Sequence, residues 1–261
     1  MDRGSRKHVL DWTGRPSFLA EFESLLSPIP VKVPPDAAFM PRGDAEPEEA
    51  RLERFGPSLW SDSPAWGRLQ DWWLVHRRGA NTPNWDIASS CEIEGRPGLV
   101  LVEAKANWPE LGLAGKRLAN DASPSSVENH ERIGAAIDEA RAAWQHIDSA
   151  VMISRDTHYQ LSNRIAFAWK LATLGIPVVL VYLGFTGDEG IRDAGAPFAD
   201  DADWRKAFAE YSAGAVPTEL LETRHEFDAV PVWIAVRSRE VMEDSQPCFL
   251  ACASRRTREP E

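Results

Sequence analysis

The amino-acid sequence predicts an α/β protein in which a central mixed sheet is flanked by helices. Strand-like segments joined by a short glycine-containing connection precede two amphipathic helices, and a fully apolar strand follows them. Elements in this order form layers, with helices packed on a sheet. At 261 residues the chain can bury one substantial core. We expect a single domain over residues 46–255, with residues 1–45 as an N-terminal extension packed on or near it.

The N-terminal part predicts short helices separated by a proline-rich stretch. Residues 18–26 have the apolar spacing of an amphipathic helix, whereas the prolines of residues 27–47 predict an extended, irregular segment. A second helix is expected over residues 46–55. A Ser-Pro pair at residues 63–64 is typical of a helix start and predicts a third helix, to about residue 69.

Three strands are expected next. Residues 72–76 predict the first and residues 85–93 the second, because both are rich in aromatic or β-branched side chains. Residues 98–105 predict the third, and their Leu-Val-Leu-Val run suits a strand buried on both faces. Residues 94–98 would then connect the second and third strands as a hairpin.

The C-terminal half predicts two long helices before the next strand. A Ser-Ser-Val-Glu capping box at residues 125–128 indicates the start of the first helix, after a loop over residues 107–124. The second should begin near residue 156 or 157 and end at Gly175. The remaining expected elements are a buried strand over residues 177–185, a helix over residues 204–211 and strands over residues 230–236 and 248–252.

Composition narrows the class of protein. The net charge of −11 weighs against a generally basic nucleic-acid-binding surface, although a binding surface can be local. The 3 cysteines include no CxxC pair, which argues against a disulfide framework or a zinc site. We expect no signal segment and no membrane span, because the chain opens on a polar, mixed sequence and its longest apolar run is short. A cytoplasmic protein without a membrane partner is therefore expected.

The 11 tryptophans are a second unusual feature of the composition. Six of them lie between Trp60 and Trp108. Indole rings can stack on nucleic-acid bases, but they more often fill a core or line a cleft. We expect the core role to predominate.

The most informative residues are Glu103 and Lys105, which end the third predicted strand. Side chains alternate along a strand, so these two point to the same face while Ala104 points to the other. A charge pair at a strand end is commonly a solvated one. Here the strand is predicted to be buried on both faces, where charges are costly unless they are paired or bind a metal.

Asp86, at the start of the second predicted strand, can join this pair. If residues 94–97 form a four-residue loop, Asp86 lies opposite Lys105, and directly opposed residues share a face. A five-residue loop would turn Asp86 to the other face unless a bulge restored it. The sequence leaves both registers open.

Asp86 followed by Glu103-Ala104-Lys105 resembles the motif of the PD-(D/E)xK superfamily, the restriction-endonuclease-like nucleases. The expected order of helix, three-stranded meander, helix and strand is also similar to the αβββαβ core of that superfamily. The resemblance covers residues 46–185. The residue before Asp86 is Trp85 where the motif has proline, and Pro83 lies two positions before it.

The resemblance implies a nuclease that hydrolyses phosphodiester bonds of DNA or RNA, with DNA ranked above RNA. It implies that Asp86, Glu103 and the Ala104 carbonyl bind Mg²⁺, for which Mn²⁺ would substitute, and that Lys105 orients or activates the attacking water. Two carboxylates suffice for Mg²⁺, which keeps several of its waters. A homodimer would suit an enzyme that cuts both strands.

Further polar residues are candidates for supporting roles. The resemblance implies a carboxylate from the first helix, and Glu49 and Glu53 both qualify. Gln160 and Asn163, with Arg164, sit beside the apolar stripe of the second long helix, so one or two of them should reach the cleft. Their alternative position is the polar outer face of that helix. We select Gln160 and Asn163 as supporting residues.

The alternative function is a non-catalytic binding or regulatory protein on the same restriction-endonuclease-like fold. The acidic net charge and the absence of an evident basic stripe favour this alternative. An unrelated hydrolase is a third reading, but no GxSxG nucleophile motif supports it.

Overall fold

The computed structural model describes residues 4–59, 63–193 and 195–241. The helices are α1 (Ser5–Thr13), α2 (Phe18–Leu26), α3 (Leu52–Leu59), α4 (Ser63–Trp73), α5 (Pro124–Gln145), α6 (Tyr159–Thr173) and α7 (Asp201–Ser212). The strands are β1 (Val31–Lys32), β2 (Phe39–Met40), β3 (Ala50–Arg51), β4 (Asn84–Trp85), β5 (Ile87–Ile93), β6 (Arg96–Lys105), β7 (Val178–Thr186), β8 (Arg224–Phe227) and β9 (Val230–Glu240). The expected strand over residues 248–252 lies outside the described residues.

A mixed sheet of seven strands forms the centre, in the order β1-β5-β6-β7-β9-β8, with β2 also paired to β5. β5 and β6 form an antiparallel hairpin, β7 is parallel to both β6 and β9, and β8 is antiparallel to β9. β3 and β4 pair separately. The predicted α/β class with a mixed sheet is confirmed.

Helices cover both faces of the sheet. On the first face, Leu99 and Leu101 of β6 pack in a cluster with apolar residues of α3 to α7. On the second face, Val100 and Val102 pack with residues of α1 and α2. Both faces of this strand are therefore buried, as its apolar run predicted, and the two charged residues that follow Leu101 on the first face lie under the longer helices.

The hairpin between β5 and β6 has a shorter loop than expected. Ile93 pairs with Arg96, and the turn residues Glu94 and Gly95 have φ of 52° and 74°, as in a two-residue type I′ turn. Both loop lengths considered, four and five residues, were therefore wrong. Because the register moves by two residues, the faces are preserved, and continuation of the ladder from Ile87 and Val102 brings Asp86 opposite Glu103 rather than Lys105.

The expected first strand, residues 72–76, is wrong. Trp72 and Trp73 end α4, where Trp66, Leu69 and Trp73 recur at helical spacing in the first-face cluster. The strands on the outer side of β5 come instead from β1 and β2, inside the proline-rich segment that was expected to be irregular. The local pattern was ambiguous because aromatic residues suit both a strand and a buried helix face.

Other element boundaries also differ from expectation. The helix predicted over residues 46–55 is wrong, because Ala50–Arg51 pairs with β4 and α3 begins only at Leu52. The N-cap of α5 is Ser123, two residues before the start of the predicted capping box, and its side chain accepts a hydrogen bond from the Ser126 N–H. α2 and β7 confirm the helix expected over residues 18–26 and the buried strand expected over residues 177–185. α1 and β8 were not predicted.

Among the described residues, no helix is both long and apolar enough to cross a membrane.

Candidate active site

A cavity of about 460 Å³ lies on the first face of the sheet, where β4, the end of β6 and the start of α6 meet. Asp86 and Glu103 both contribute to its wall. Its other lining residues are Glu49, Trp73, Asn81, Thr82, Pro83, Asn84, Lys116, Ile133, Tyr159, Gln160, Asn163 and Arg164. The wall is therefore mostly polar and carries charges of both signs.

Asp86 occupies a bend between β4 and β5. Its backbone N–H donates to the Val102 carbonyl (3.1 Å), and its Oδ2 accepts a hydrogen bond from the Ala104 N–H (2.7 Å). The side chain thus takes up a backbone donor of β6 and is fixed beside Glu103. Burial, followed by the negative charge of Glu103, raises the pKa of Asp86 from 3.8 to about 7.

Glu103 is buried between two cations, with 2% of its surface exposed. Lys105 Nζ donates to Oε1 (2.5 Å) and Arg164 Nε donates to Oε2 (2.6 Å). Burial alone would raise the pKa of Glu103, but the charges of Arg164 and Lys105 more than offset it, and the pKa is lowered. The carboxylate is therefore ionised, while Asp86 beside it titrates near neutrality.

Arg164 is the central cation of the site. From the sequence it was placed beside the apolar stripe but was not selected as a supporting residue. Besides Glu103, it donates from Nη2 to the Asn84 carbonyl (2.6 Å) and from Nη1 to Asn163 Oδ1 (2.9 Å). Its guanidinium carbon lies 4.5 Å from the centre of the Trp85 ring. Burial would lower the pKa of Arg164, but Glu103 and then Asp86 raise it. The available sequence signal was its position beside the apolar stripe of α6.

Lys105 is also buried, but it does not line the cavity. Its amine contacts Glu103 on the same face of β6, as alternation along the strand predicted. Ala104 is buried, and the group it presents to Asp86 is its N–H. The structure therefore brings Asp86, Glu103 and Lys105 together, with the Lys105 amine bonded to Glu103.

The supporting candidates divide into those that reach the cavity and one that does not. Gln160 and Asn163 both line it. Glu49 also lines it, accepting from Asn84 Nδ2 (2.9 Å) and from Arg6 Nη1 (3.2 Å). Glu53 instead accepts from the Thr82 N–H (3.3 Å) and hydroxyl. Of the two candidates for the additional carboxylate, Glu49 is therefore the one that lines the cavity. It lies just before β3 and not in a helix.

The anionic donors of the cavity are the carboxylates of Glu49, Asp86 and Glu103. Over residues 4–59, 63–193 and 195–241, no three His, Cys, Asp or Glu side chains are grouped closely enough to hold a metal ion together. Asp86 lies beside Glu103, and Glu49 lines the same cavity. Such oxygen donors suit a hard cation that keeps part of its water shell.

Most of the described tryptophans fill the core. Trp73, Trp85, Trp144 and Trp204 are almost completely inaccessible to solvent, and only Trp73 also lines the cavity. Trp60 lies outside the described residues. Stacking on bases is therefore not the main use of these side chains.

No protein-family model, curated protein or solved structure significantly matches this chain. Any function must therefore be argued from the geometry of the cavity itself.

Proposed function

We propose that the protein is a divalent-metal-dependent nuclease that hydrolyses phosphodiester bonds, built on a restriction-endonuclease-like αβββαβ core. One observation carries the proposal. Asp86, directly before β5, and Glu103, in the antiparallel neighbour β6, line one cavity, and Lys105 lies two positions after Glu103 with its amine on that carboxylate. This is the arrangement that the motif in the sequence implies.

The order of elements supports the proposed core. α4 precedes the β5–β6 hairpin, α5 and α6 follow it, and β7 returns parallel to β6. One feature differs from the expected three-stranded meander. Its first strand, next to β5, does not follow α4 in the chain but is supplied by β1 and β2 of the N-terminal segment. In this proposal the N-terminal segment completes the core.

The carboxylates fit the ion that the proposal requires. Asp86 and Glu103 would hold Mg²⁺ or Mn²⁺, and two carboxylates are a sufficient protein contribution for Mg²⁺. A bound divalent ion lowers the pKa of a water and offsets the charge that builds up on a phosphate. The raised pKa of Asp86 fits such a site, because a nearby cation would favour its ionised form.

The protein's own residues prepare the carboxylates. The Ala104 N–H orients Asp86, and Arg164 and Lys105 keep Glu103 ionised and fixed. In the structure the Lys105 amine contacts Glu103 and does not line the cavity. Its proposed role of orienting or activating the attacking water therefore rests on the resemblance to the motif alone. We propose DNA ahead of RNA as the substrate, and a cytoplasmic location.

A second candidate function is a non-catalytic binding or regulatory protein. The observation that favours it is the pairing of Glu103, since one oxygen accepts from Lys105 and the other from Arg164. A metal ion would have to compete with both cations for this carboxylate. In that case calorimetry with MnCl₂ on the folded protein would detect no binding.

Cleavage of supercoiled plasmid DNA tests the proposal. We expect nicking that requires MgCl₂, is abolished by EDTA and falls at least about a hundredfold in Asp86→Asn and Glu103→Gln, because each removes a carboxylate ligand. Glu53→Gln is the matched control, since it makes the same carboxylate-to-amide change at a residue outside the cavity wall. Wild-type protein without nicking activity, or equal activity in folded Asp86→Asn, would overturn the proposal.

A further inference from the structure

Lys116 brings a second type of charge to the cavity that holds Asp86 and Glu103. It lies in the loop between β6 and α5, outside the motif that identified the carboxylates. Its ammonium group is 4.9 Å from the centre of the Tyr159 ring, and this aromatic face, which also lines the cavity, stabilises it. The lysine is half-buried.

Lys116 differs from the other cations of the site because it is not neutralised by a carboxylate. Lys105 and Arg164 both bind Glu103, whereas none of the carboxylates in the described part of the chain forms an ion pair with Lys116. Burial lowers the pKa of Lys116, as expected for an amine without a counter-ion. An anion in the cavity would therefore meet one cation that does not have to give up an existing partner.

The backbone fixes Lys116 in this position. Residues 113–116, here called the strap, are joined to residues 155–159 by backbone hydrogen bonds of 2.8, 2.9 and 3.1 Å. Gly115 allows the contact, because a Cβ atom at this position would lie 2.2 Å from the Asp156 carbonyl oxygen. The lysine is therefore held against the cavity before any ligand arrives, which lowers the entropic cost of binding.

Gln160 supplies a neutral polar group to the same wall. It lines the cavity, and its amide makes no hydrogen bond with another described residue. Tyr159, which carries the Lys116 contact, is its neighbour in the chain. An ammonium and an amide that are both available to a ligand suit the non-bridging oxygens of a phosphate.

We infer that Lys116, assisted by Gln160, is the phosphate-binding residue of this cavity. The inference rests on the proposed function for the identity of the ligand, a phosphate of the nucleic-acid strand being cut. Lys116 matters because the carboxylates of the cavity and the net charge of −11 would otherwise repel a phosphate. Without Lys116 the cavity would present Glu49, Asp86 and Glu103 to an anionic substrate, with Arg164 already paired.

The test compares Lys116→Ala with Arg117→Ala, which makes the same charge change at the adjacent exposed residue. Affinity for a fluorescein-labelled DNA oligonucleotide is measured by fluorescence anisotropy in CaCl₂ over a series of NaCl concentrations. We expect Lys116→Ala to weaken binding roughly tenfold at low salt and to reduce the slope of log K against log [NaCl] by about 1. Lys116→Arg should restore most of the affinity, and Arg117→Ala should bind as the wild type does.

A parallel titration with inorganic pyrophosphate, followed by calorimetry, separates this inference from the proposed function. Metal-dependent cleavage with equal affinities in Lys116→Ala and Arg117→Ala would overturn the inference and leave the nuclease standing. Lys116-dependent binding of pyrophosphate without any DNA cleavage would support the phosphate site and reject the nuclease. Wild-type protein that binds neither DNA nor pyrophosphate would overturn the inference. Thermal unfolding of each variant checks that it is folded.

Discussion

At the scale of single residues, Asp86 shows how the site is built at the expense of stability. The carboxylate is fixed by the Ala104 N–H, but it lies beside an ionised Glu103, and its pKa rises from 3.8 to about 7. A group whose pKa is higher in the folded state stabilises the fold most when it is protonated. Its contribution is complete below about pH 4 and is lost as the pH rises to about 7.

Asp86→Asn should therefore stabilise the protein at alkaline pH. We expect the free energy of unfolding to rise by about 2–4 kcal/mol near pH 8, because the amide cannot ionise. The gain should shrink as the pH falls from about 7 toward 4. Urea unfolding measured at both pH extremes checks this, with the exposed Asp36→Asn as control. Equal stabilities of Asp86→Asn and the wild type near pH 8 would contradict it.

Arg164 should be required to keep Glu103 charged inside the protein. Arg164→Met removes one of two cations from a buried carboxylate, so we expect a loss of about 3 kcal/mol in the free energy of unfolding at neutral pH. Combining it with Glu103→Gln should recover part of the loss, because the amide needs no counter-ion. Chemical denaturation of the single and double variants measures this coupling. Strictly additive effects would show that the ion pair does not stabilise the fold.

The sequence identifies Asp86, Glu103 and Lys105 better than it identifies Arg164. Alternation places Glu103 and Lys105 on one face whatever the rest of the chain does, and Asp86 shares that face for any loop with an even number of residues. Arg164 instead depends on how α6 is packed. Leu161 to Trp169 are buried at every position, so a single apolar stripe was too narrow a description of that helix, and the side chain that would reach the cavity could not be selected from the pattern.

At the scale of elements, the reliable predictions were those with one dominant local signal. The unbroken apolar run of β7 and the spacing in α2 have no competing interpretation. The tryptophans of α4 and the prolines near β1 and β2 each allow a second interpretation, because the structure of these segments depends on the part of the protein that they pack against or pair with. β5 pairs with β1 and β2 only once the N-terminal segment folds back, and such a long-range contact leaves no periodic pattern in the sequence.

The strap offers a prediction at this scale. Gly115→Ala should displace Lys116, because a Cβ atom would lie 2.2 Å from the Asp156 carbonyl oxygen. We expect DNA binding to weaken by about the same factor as in Lys116→Ala. The thermal unfolding temperature should change only slightly. Gly112→Ala is the matched control, since its Cβ would meet no atom within 4 Å. The affinity is read by fluorescence anisotropy. Wild-type affinity in Gly115→Ala would show that the strap does not position the lysine.

At the scale of the whole molecule, two helical layers place a mostly polar cavity at the ends of central strands. The first-face helices bury Glu103 and Lys105, while α1 and α2 cover the second face. A net charge of −11 implies that any nucleic acid is bound locally, at the cavity, rather than by a general basic surface. Binding should accordingly depend on a few cations, with Lys116 foremost.

The central claim is that Asp86 and Glu103 together hold a divalent metal ion. X-ray diffraction from crystals soaked in MnCl₂, with data collected at the manganese absorption edge, tests it most directly. We predict an anomalous peak bounded by the Asp86 and Glu103 carboxylates, and its loss in Asp86→Asn crystals treated in the same way. A cavity without a manganese peak, with Glu103 still bonded to both Lys105 and Arg164, would contradict the claim.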